Sequence, residues 1–385
     1  MSRPSHRGSS RSVRSGVALA CVFTGVLVTG AATGSWPEGA DGAESRVLAS
    51  GARASLSHSG GAASAAEDDA RRLVSTRGDR WSAAYTAEEY ERLRRGLEGE
   101  YVGTGIAVLR TADGRIEVGE VHEGSPAERA GVAPGDEILA IDGVPLAGGP
   151  VTDVVGRLRG SDQAEQAGRG STVLLALERD DRRWDLQVER ARLTVRSVSV
   201  AESADGVTRI EVNSFTRGAA ELLREAVAEV PDGDGIVLDL RGNAGGLLTE
   251  AAEAASVFLD GGLVATYEVY GDERALHAES GGDTGTPLVV LVDGGTMSSA
   301  EMLTGALQDR NRAVIVGART FGKGTVQMPS EQPDGSVAEL TVGHYVTPSG
   351  RTVDEDGIVP DLVVGAGQDA EEEARTVLGG LDAGG

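Results

Sequence analysis

Of the 36 basic side chains in this 385-residue sequence, all but one are arginines; the exception is Lys323, set between two glycines in Phe321-Gly-Lys-Gly324. An arginine keeps its proton at any pH a protein meets, whereas a lysine withdrawn from water can become a neutral amine able to accept one. Lys323 is therefore the first candidate for a general base. A coding bias toward arginine explains why lysine is scarce, but not why the survivor lies in a glycine-flanked loop between apolar strand candidates. A base needs a nucleophile, and Val292-Asp-Gly-Gly-Thr-Met-Ser-Ser-Ala-Glu301 puts a serine at the head of a helix just after a buried strand. A nucleophile there gains from the helix dipole and from the N–H of the following residue, Ser299. A third segment, Leu238-Asp-Leu-Arg-Gly-Asn-Ala-Gly-Gly-Leu247, has consecutive glycines, Gly245 and Gly246, whose backbone N–H groups can converge where an oxyanion would sit.

These segments need strands and helices to hold them. Val207 to Val212 reads as a strand and Gly218 to Val230 as an amphipathic helix with Leu222, Leu223, Ala226 and Val227 on one face. Gly235 to Leu240 is an apolar buried strand, Leu247 to Leu259 a helix, Leu288 to Val292 a second buried strand and Ser299 to Arg310 a helix. Alternation of this kind implies an α/β layer fold with a largely parallel sheet. Upstream, Thr86 to Gly99 has a threonine cap, early acids, late arginines and a glycine stop, the marks of a short helix. Strand candidates follow at Gly103 to Leu109 and Ile116 to Val121 around an Asp113-Gly114 turn, then a Pro126 to Ala130 helix and a strand at Ile138 to Ile141.

The segment from about Tyr101 to Arg190 resembles a PDZ domain of the permuted bacterial type, through Gly124-Ser-Pro-Ala-Glu-Arg-Ala-Gly-Val132 and Pro134-Gly-Asp-Glu-Ile-Leu-Ala-Ile-Asp-Gly143. That resemblance implies capture of a peptide C-terminus as an added strand. Gly103, Thr104, Gly105 and Ile106 then match the carboxylate-binding loop; a plain strand entry is the alternative for those glycines. Residues 81 to 365 as a whole resemble the carboxyl-terminal processing, or tail-specific, proteases. The motifs are Asp239 to Leu248, Ser298-Ser-Ala-Glu301 with Ala306-Leu-Gln-Asp309, Phe321 to Gln327, and Thr347 to Arg351 followed by Gly357 to Asp361. The resemblance implies that Ser298 attacks the peptide, Lys323 is its base and Gln327 orients Lys323. The N–H groups of Gly245 or Gly246, with that of Ser299, would then form the oxyanion hole. Ala244 stands where proline is usual, and Ser299 is a second hydroxyl beside the nucleophile. The fold class implied is an α/β protease core with crotonase/ClpP-like layers and an inserted small α+β PDZ domain.

The domain reading that follows is a signal peptide or membrane anchor at 1–36, a disordered linker at 37–75, a short helical segment at 76–99, the PDZ domain at 100–192, the protease core at 193–366 and a C-terminal helix or tail at 367–385. The leader rests on Arg3, Arg7, Arg11 and Arg14 with no acid among them, followed by the uncharged run Gly16 to Ala32. Export across the bacterial cytoplasmic membrane follows, with the product either released or anchored facing outward through that segment. The formal charge of -24 argues against nucleic acid as a partner. Cys21 is the only cysteine, so no intramolecular disulfide forms. Absence of Cys pairs and of a His-Glu-x-x-His run excludes the familiar zinc sites, and no cofactor is expected. Of the five histidines, His277 and His344 are the two in the second half, and neither belongs to a triad motif. Asp239 and Arg241 read as structural charges at a strand end.

The expected partners are protein or peptide substrates with exposed C-termini, and a homo-oligomer is one of the states allowed. The expected activity is serine endopeptidase cleavage; the competing reading is an inactive PDZ-containing peptide-binding scaffold. Because arginine cannot give up its proton, Lys323→Arg should abolish cleavage of an unfolded protein with an apolar tail, and substantial residual cleavage in that assay would remove Lys323 as the base.

Overall fold

The computed structural model describes residues 68–111, 113–146, 151–160, 169–202, 206–269, 271–365 and 367–382; the expected leader, and the linker as far as residue 67, lie outside them. The chain divides into two compact units, one spanning Val102–Leu193 and the other combining the segment before Val102 with Thr194 onward.

Three elements precede the first unit: α1 (Asp68–Arg77), β1 (Ala83–Tyr85) and α2 (Ala87–Leu97). The stretch expected to be unstructured as far as residue 75 is thus helical from Asp68. The reason is tertiary: Ala70, Leu73 and Val74 pack on Ala338 and Leu340, a contact that local composition does not reveal. The α2 cap forms as the sequence implies. The Thr86 hydroxyl accepts the Glu89 N–H at 3.2 Å, and the Glu89 carboxylate accepts the Thr86 N–H at 2.7 Å.

The first unit runs β2 (Glu100–Gly103), β3 (Ile106–Arg110), β4 (Ile116–Val121), α3 (Pro126–Arg129), β5 (Glu137–Ile141), β6 (Val144–Pro145), α4 (Val151–Arg159), β7 (Thr172–Arg179), β8 (Arg182–Glu189) and β9 (Ala191–Thr194). Its antiparallel sheet has the order β3-β4-β5-β7-β8, with β6 added to β5, while β2 pairs with β9. Alternation along β7 sends Val173, Leu175 and Leu177 inward and leaves Leu174 exposed. Val154 and Leu158 of α4 close over the same core. The strand expected from Gly103 to Leu109 is broken at Thr104 and Gly105, where Gly105 takes φ +86 and a Cβ would fall 2.2 Å from that of Ser125.

The second unit continues with β10 (Val198–Glu202), β11 (Val207–Val212), α5 (Ala219–Ala228), β12 (Gly235–Asp239), α6 (Leu248–Phe258), β13 (Gly262–Val269), β14 (Asp272–Ala278), β15 (Leu288–Val292), α7 (Ser299–Asp309), β16 (Val314–Gly317), β17 (Thr325–Glu331), β18 (Val337–Val346), β19 (Leu362–Val363) and α8 (Ala370–Asp382). One sheet has the order β10-β11-β12-β15-β16-β19, parallel throughout except for the antiparallel β10–β11 pair. The other has the order β1-β18-β13-β14 with β17 against β18, and its pairs are antiparallel.

Every residue of β12 and β15 is buried, which explains their unbroken apolar runs: helices cover both faces. Ile236, Leu238, Leu288, Val290 and Val292 face α6 and α7 in the main core. Val237, Val289, Leu291 and Val316 face the other way, against Ala374 and Leu378 of α8. On α5 the buried stripe is Ala219, Ala220, Leu223 and Ala226. Leu222 is 45% exposed, so the face expected to include it is rotated toward the small alanines, which let the helix approach the sheet closely. Leu378 is fully enclosed between α8 and the sheet, so Leu378→Ala should lower the free energy of unfolding by about 2–5 kcal/mol in urea titration, whereas a loss below about 1 kcal/mol would mean that α8 contributes little to this layer.

Candidate active site

Ser298 is the residue before α7, and its backbone takes φ +55 and ψ -123, a left-handed conformation that costs a non-glycine residue of the order of 1–3 kcal/mol. Such strain persists only when surrounding bonds enforce it. Here the Ser298 N–H donates at 2.9 Å to Glu301 Oε2, and the Ser298 carbonyl accepts from the Tyr345 hydroxyl at 3.0 Å. Both partners also hold the lysine loop. Glu301 Oε2 accepts the Lys323 N–H at 2.9 Å, and the Tyr345 hydroxyl reaches the Lys323 carbonyl at 3.3 Å. The backbones of Ser298 and Lys323, 25 positions apart in sequence, therefore meet on two shared atoms.

Glu301 completes its set through Oε1, which accepts from the Gly322 N–H at 2.7 Å and from the Thr320 hydroxyl at 2.6 Å. Its side chain is fully buried. Burial pushes the Glu301 carboxyl above the usual carboxylate range, and the four donors pull in the opposite direction. Tyr345, also enclosed, has its phenol pushed well up by burial and so remains a donor.

Lys323 is 9% exposed, and burial lowers the pKa of its amine from the ordinary lysine value. The Nζ lies 5.3 Å from the centroid of the Trp81 ring, which in turn packs on Phe321 at 5.7 Å. The apolar run Val314 to Val316 just upstream builds β16, with Ile315 in the main core and Val316 on the α8 side. Trp81, from the segment ahead of β1, is the aromatic wall that sequence reading missed. Gln327 lies on β17 just after a bulge, and its Nε2 donates to Thr325 Oγ1 at 2.6 Å. Among the described residues no hydrogen bond joins it to Lys323.

The glycine loop lies against the serine turn. The Asn243 carbonyl accepts the Met297 N–H at 2.8 Å, and a Cβ on Gly245 would fall 3.0 Å from that of Ser298. The Gly245 N–H is already committed, donating to Asn243 Oδ1 at 2.8 Å. The Gly246 N–H and the Ser299 N–H have no acceptor among the described residues. Of the two glycines, Gly246 is the one whose N–H is uncommitted among the described residues. Of the two adjacent serines, Ser299 has its hydroxyl buried with no partner among the described residues, while Ser298 is partly exposed. Asp239 and Arg241 form a two-pronged ion pair with each other, at 2.8 and 2.5 Å, and Arg209 adds a third contact to Asp239 at 3.0 Å. His277 is exposed on β14, and His344 is exposed on β18 with its Nδ1 on Asp354.

In the first unit, β3 is an edge strand of its sheet and α4 packs beside it. The four residues expected to bind a carboxylate form the turn into that edge: the Thr104 carbonyl accepts the Ala127 N–H at 3.0 Å and the Gly105 carbonyl accepts the His122 N–H at 2.8 Å, which fixes the turn on α3. Gly103 closes β2, and Ile106 opens β3 and packs on the unit's core.

Glu301 cannot be replaced isosterically without loss, because a glutamine NH₂ would confront two donors in place of an acceptor. Glu301→Gln should cost about 2–5 kcal/mol of stability and reduce kcat at least ten-fold, read by urea unfolding and peptide cleavage; a variant equal to the parent in both would show that the four bonds are dispensable.

The sequence profile of peptidase family S41 matches residues 206–364, and that of the PDZ domain matches residues 117–167. A protein named probable CtpA-like serine protease in Staphylococcus aureus is 34% identical over 293 residues, or 74% of this chain and 57% of its own length. Its namesake in Staphylococcus haemolyticus is 31% identical over 306 residues, covering 75% of this chain and 58% of that one. The chain thus spans somewhat over half the length of these curated relatives. Among solved structures, a photosystem II D1 C-terminal processing protease superposes with a TM-score of 0.50 at 28% identity, covering 79% of this chain and 83% of that one. With the α/β core holding the serine and lysine loops and a PDZ domain preceding them, the chain belongs to peptidase family S41.

Proposed function

We propose that this protein is a serine endopeptidase that captures the C-terminal tail of a protein substrate on its PDZ domain and cleaves by a Ser298–Lys323 mechanism. The observation that carries the reading is the double tether of the two loops, through Glu301 and Tyr345, around a lysine withdrawn from water. A neutral Lys323 amine takes the Ser298 proton as Oγ bonds to the scissile carbonyl carbon. The Gly246 and Ser299 N–H groups receive the charge that develops on the carbonyl oxygen, with the dipole of α7 adding to the same field. The lysine then passes its proton to the departing amine, and a water molecule activated by the same amine releases the acyl group from Ser298. Gln327, on the sheet face beside the lysine loop, orients the amine once substrate has displaced its contact with Thr325.

The PDZ domain supplies selection. Its open β3 edge accepts an extended tail, with the Gly103-Thr104-Gly105-Ile106 turn receiving the terminal carboxylate and Ile106 meeting the last side chain. Export is part of the proposal and rests on the basic and then apolar N-terminal sequence. Among the described residues no helix is long and apolar enough to cross a membrane.

Ser298→Ala should be inactive, while Ser299→Ala retains substantial activity because its hydroxyl is not needed and its N–H is kept; the reverse outcome would move the nucleophile by one residue. Amidating the substrate's C-terminus should raise KM several-fold with little change in kcat. An unchanged KM would remove the carboxylate-reading role. Complete absence of cleavage by the parent chain, with tail binding intact, would favour the scaffold reading.

A further inference from the structure

Resting on the reading of Lys323 as the base, we propose that Glu339 is a positioning residue of the same centre, its carboxylate facing the Lys323 amine and stabilising the ammonium formed when Lys323 takes the Ser298 proton. Strand register puts it there. Glu339 pairs with Ala83 of β1 on one side and with Pro329 of β17 on the other. Cross-strand partners share a sheet face, as do residues two apart, so Glu339 shares its face with Tyr85 and Gln327. Its neighbours Ala338 and Leu340 point the opposite way, under α1. Lys323 Nζ lies against Trp81, two residues before the β1 residue that pairs with Glu339.

The carboxylate is half-buried, and among the described residues it is in no ion pair within 4.0 Å, with an arginine or with Lys323, so its action on the amine is through space. Its hydrogen bond comes from the Tyr85 hydroxyl, at 3.4 Å. Burial raises the Glu339 carboxyl and Lys323 is the charge that draws it back; burial lowers the Lys323 amine and Glu339 is the first charge that holds it up. Other titratable groups surround the pair. Tyr85 and Tyr90 are pushed up by burial and stay protonated, Glu331 lies on β17, and Arg80 stacks on Trp81 at 4.4 Å. Glu301 and Tyr345 are committed to the loop backbones described above. Glu339 is thus the carboxylate left to balance the new ammonium. During acylation the Oγ–H bond breaks as the Oγ–C bond forms, the proton passes to the Nζ lone pair, and it leaves on the departing nitrogen as the C–N bond breaks. Glu339 stays ionised and exchanges no proton.

The sign of its effect on pH dependence follows. An anion favours the charged amine, so removing Glu339 makes the base neutral at lower pH. The test is the pH dependence of kcat and kcat/KM for the parent, Glu339→Gln and Tyr85→Phe, with an unfolded protein carrying an apolar tail as substrate. In Glu339→Gln the acidic limb should move to lower pH by about one unit, and the plateau kcat should fall several-fold because the ammonium loses its counter-charge. Tyr85→Phe removes the donor that helps keep the buried Glu339 carboxyl ionised in the parent, so part of the counter-charge is lost to protonation and the limb should move in the same direction by less; this variant carries the test if Glu339→Gln does not fold. A purely structural role would lower activity without moving the limb. A limb that superimposes on the parent's, or moves to higher pH, overturns the proposal. An inactive parent, or a Lys323→Ala variant as active as the parent, would instead overturn the reading of Lys323 as base.

Discussion

The site depends on one buried carboxylate. Glu301 lies on the first turn of α7, fully enclosed, and its two oxygens collect the N–H groups of Ser298, Gly322 and Lys323 together with the Thr320 hydroxyl. An uncompensated carboxylate in such a place would cost several kcal/mol, so the loops are obliged to converge on it. That obligation fixes the left-handed turn at Ser298 and sets the path of the lysine loop at the same time. The same group has an electrostatic effect, since its charge is one of two that resist the loss of a proton from Lys323.

The two sheets of the second unit meet at this point for a reason of layering. The parallel sheet delivers the strand ends that lead into the glycine loop after β12 and the serine turn after β15. The antiparallel sheet delivers Tyr345 from β18 and begins β17 just after Lys323. Tyr345 is the mirror of Glu301: where the carboxylate gathers N–H groups, the phenol's one hydrogen is shared between the carbonyls of Ser298 and, at longer range, Lys323. Each loop is thereby held by a donor and an acceptor from outside itself, which is the kind of support that a reactive constellation needs to keep its geometry.

Much of this was legible locally. Ile116–Val121, Val207–Val212 and Leu288–Val292 form strands over the residues their patterns indicate, because alternation reports a half-buried face and a short unbroken apolar run reports a sheet covered on both sides. The Thr86 cap is local as well, since donor and acceptor are three residues apart. What was not legible is long-range. The helix α1 is held by Ala338 and Leu340, some 270 residues downstream, and Leu222 turns outward because small residues on α5 set the depth of packing. Trp81 and Glu339 carried no motif signal at all. Their placement comes from β1 adding to β18, a pairing of strands far apart in the sequence.

The sequence by itself determined the chemistry available: one lysine, a serine at a helix start, a glycine-rich strand end and the α/β order that lines them up. Residue type and short spacing decide those matters, and both are written in the chain. Only the tertiary structure decided which donors are free and which charges meet. Gly245 is spent on Asn243 while Gly246 is not, the Ser299 hydroxyl is enclosed while Ser298 is partly open, and Glu339 comes to share the face that adjoins Trp81 and the lysine. Hydrogen-bond accounting and burial are properties of the packed chain, because each depends on atoms that lie far apart in sequence and close together only after folding.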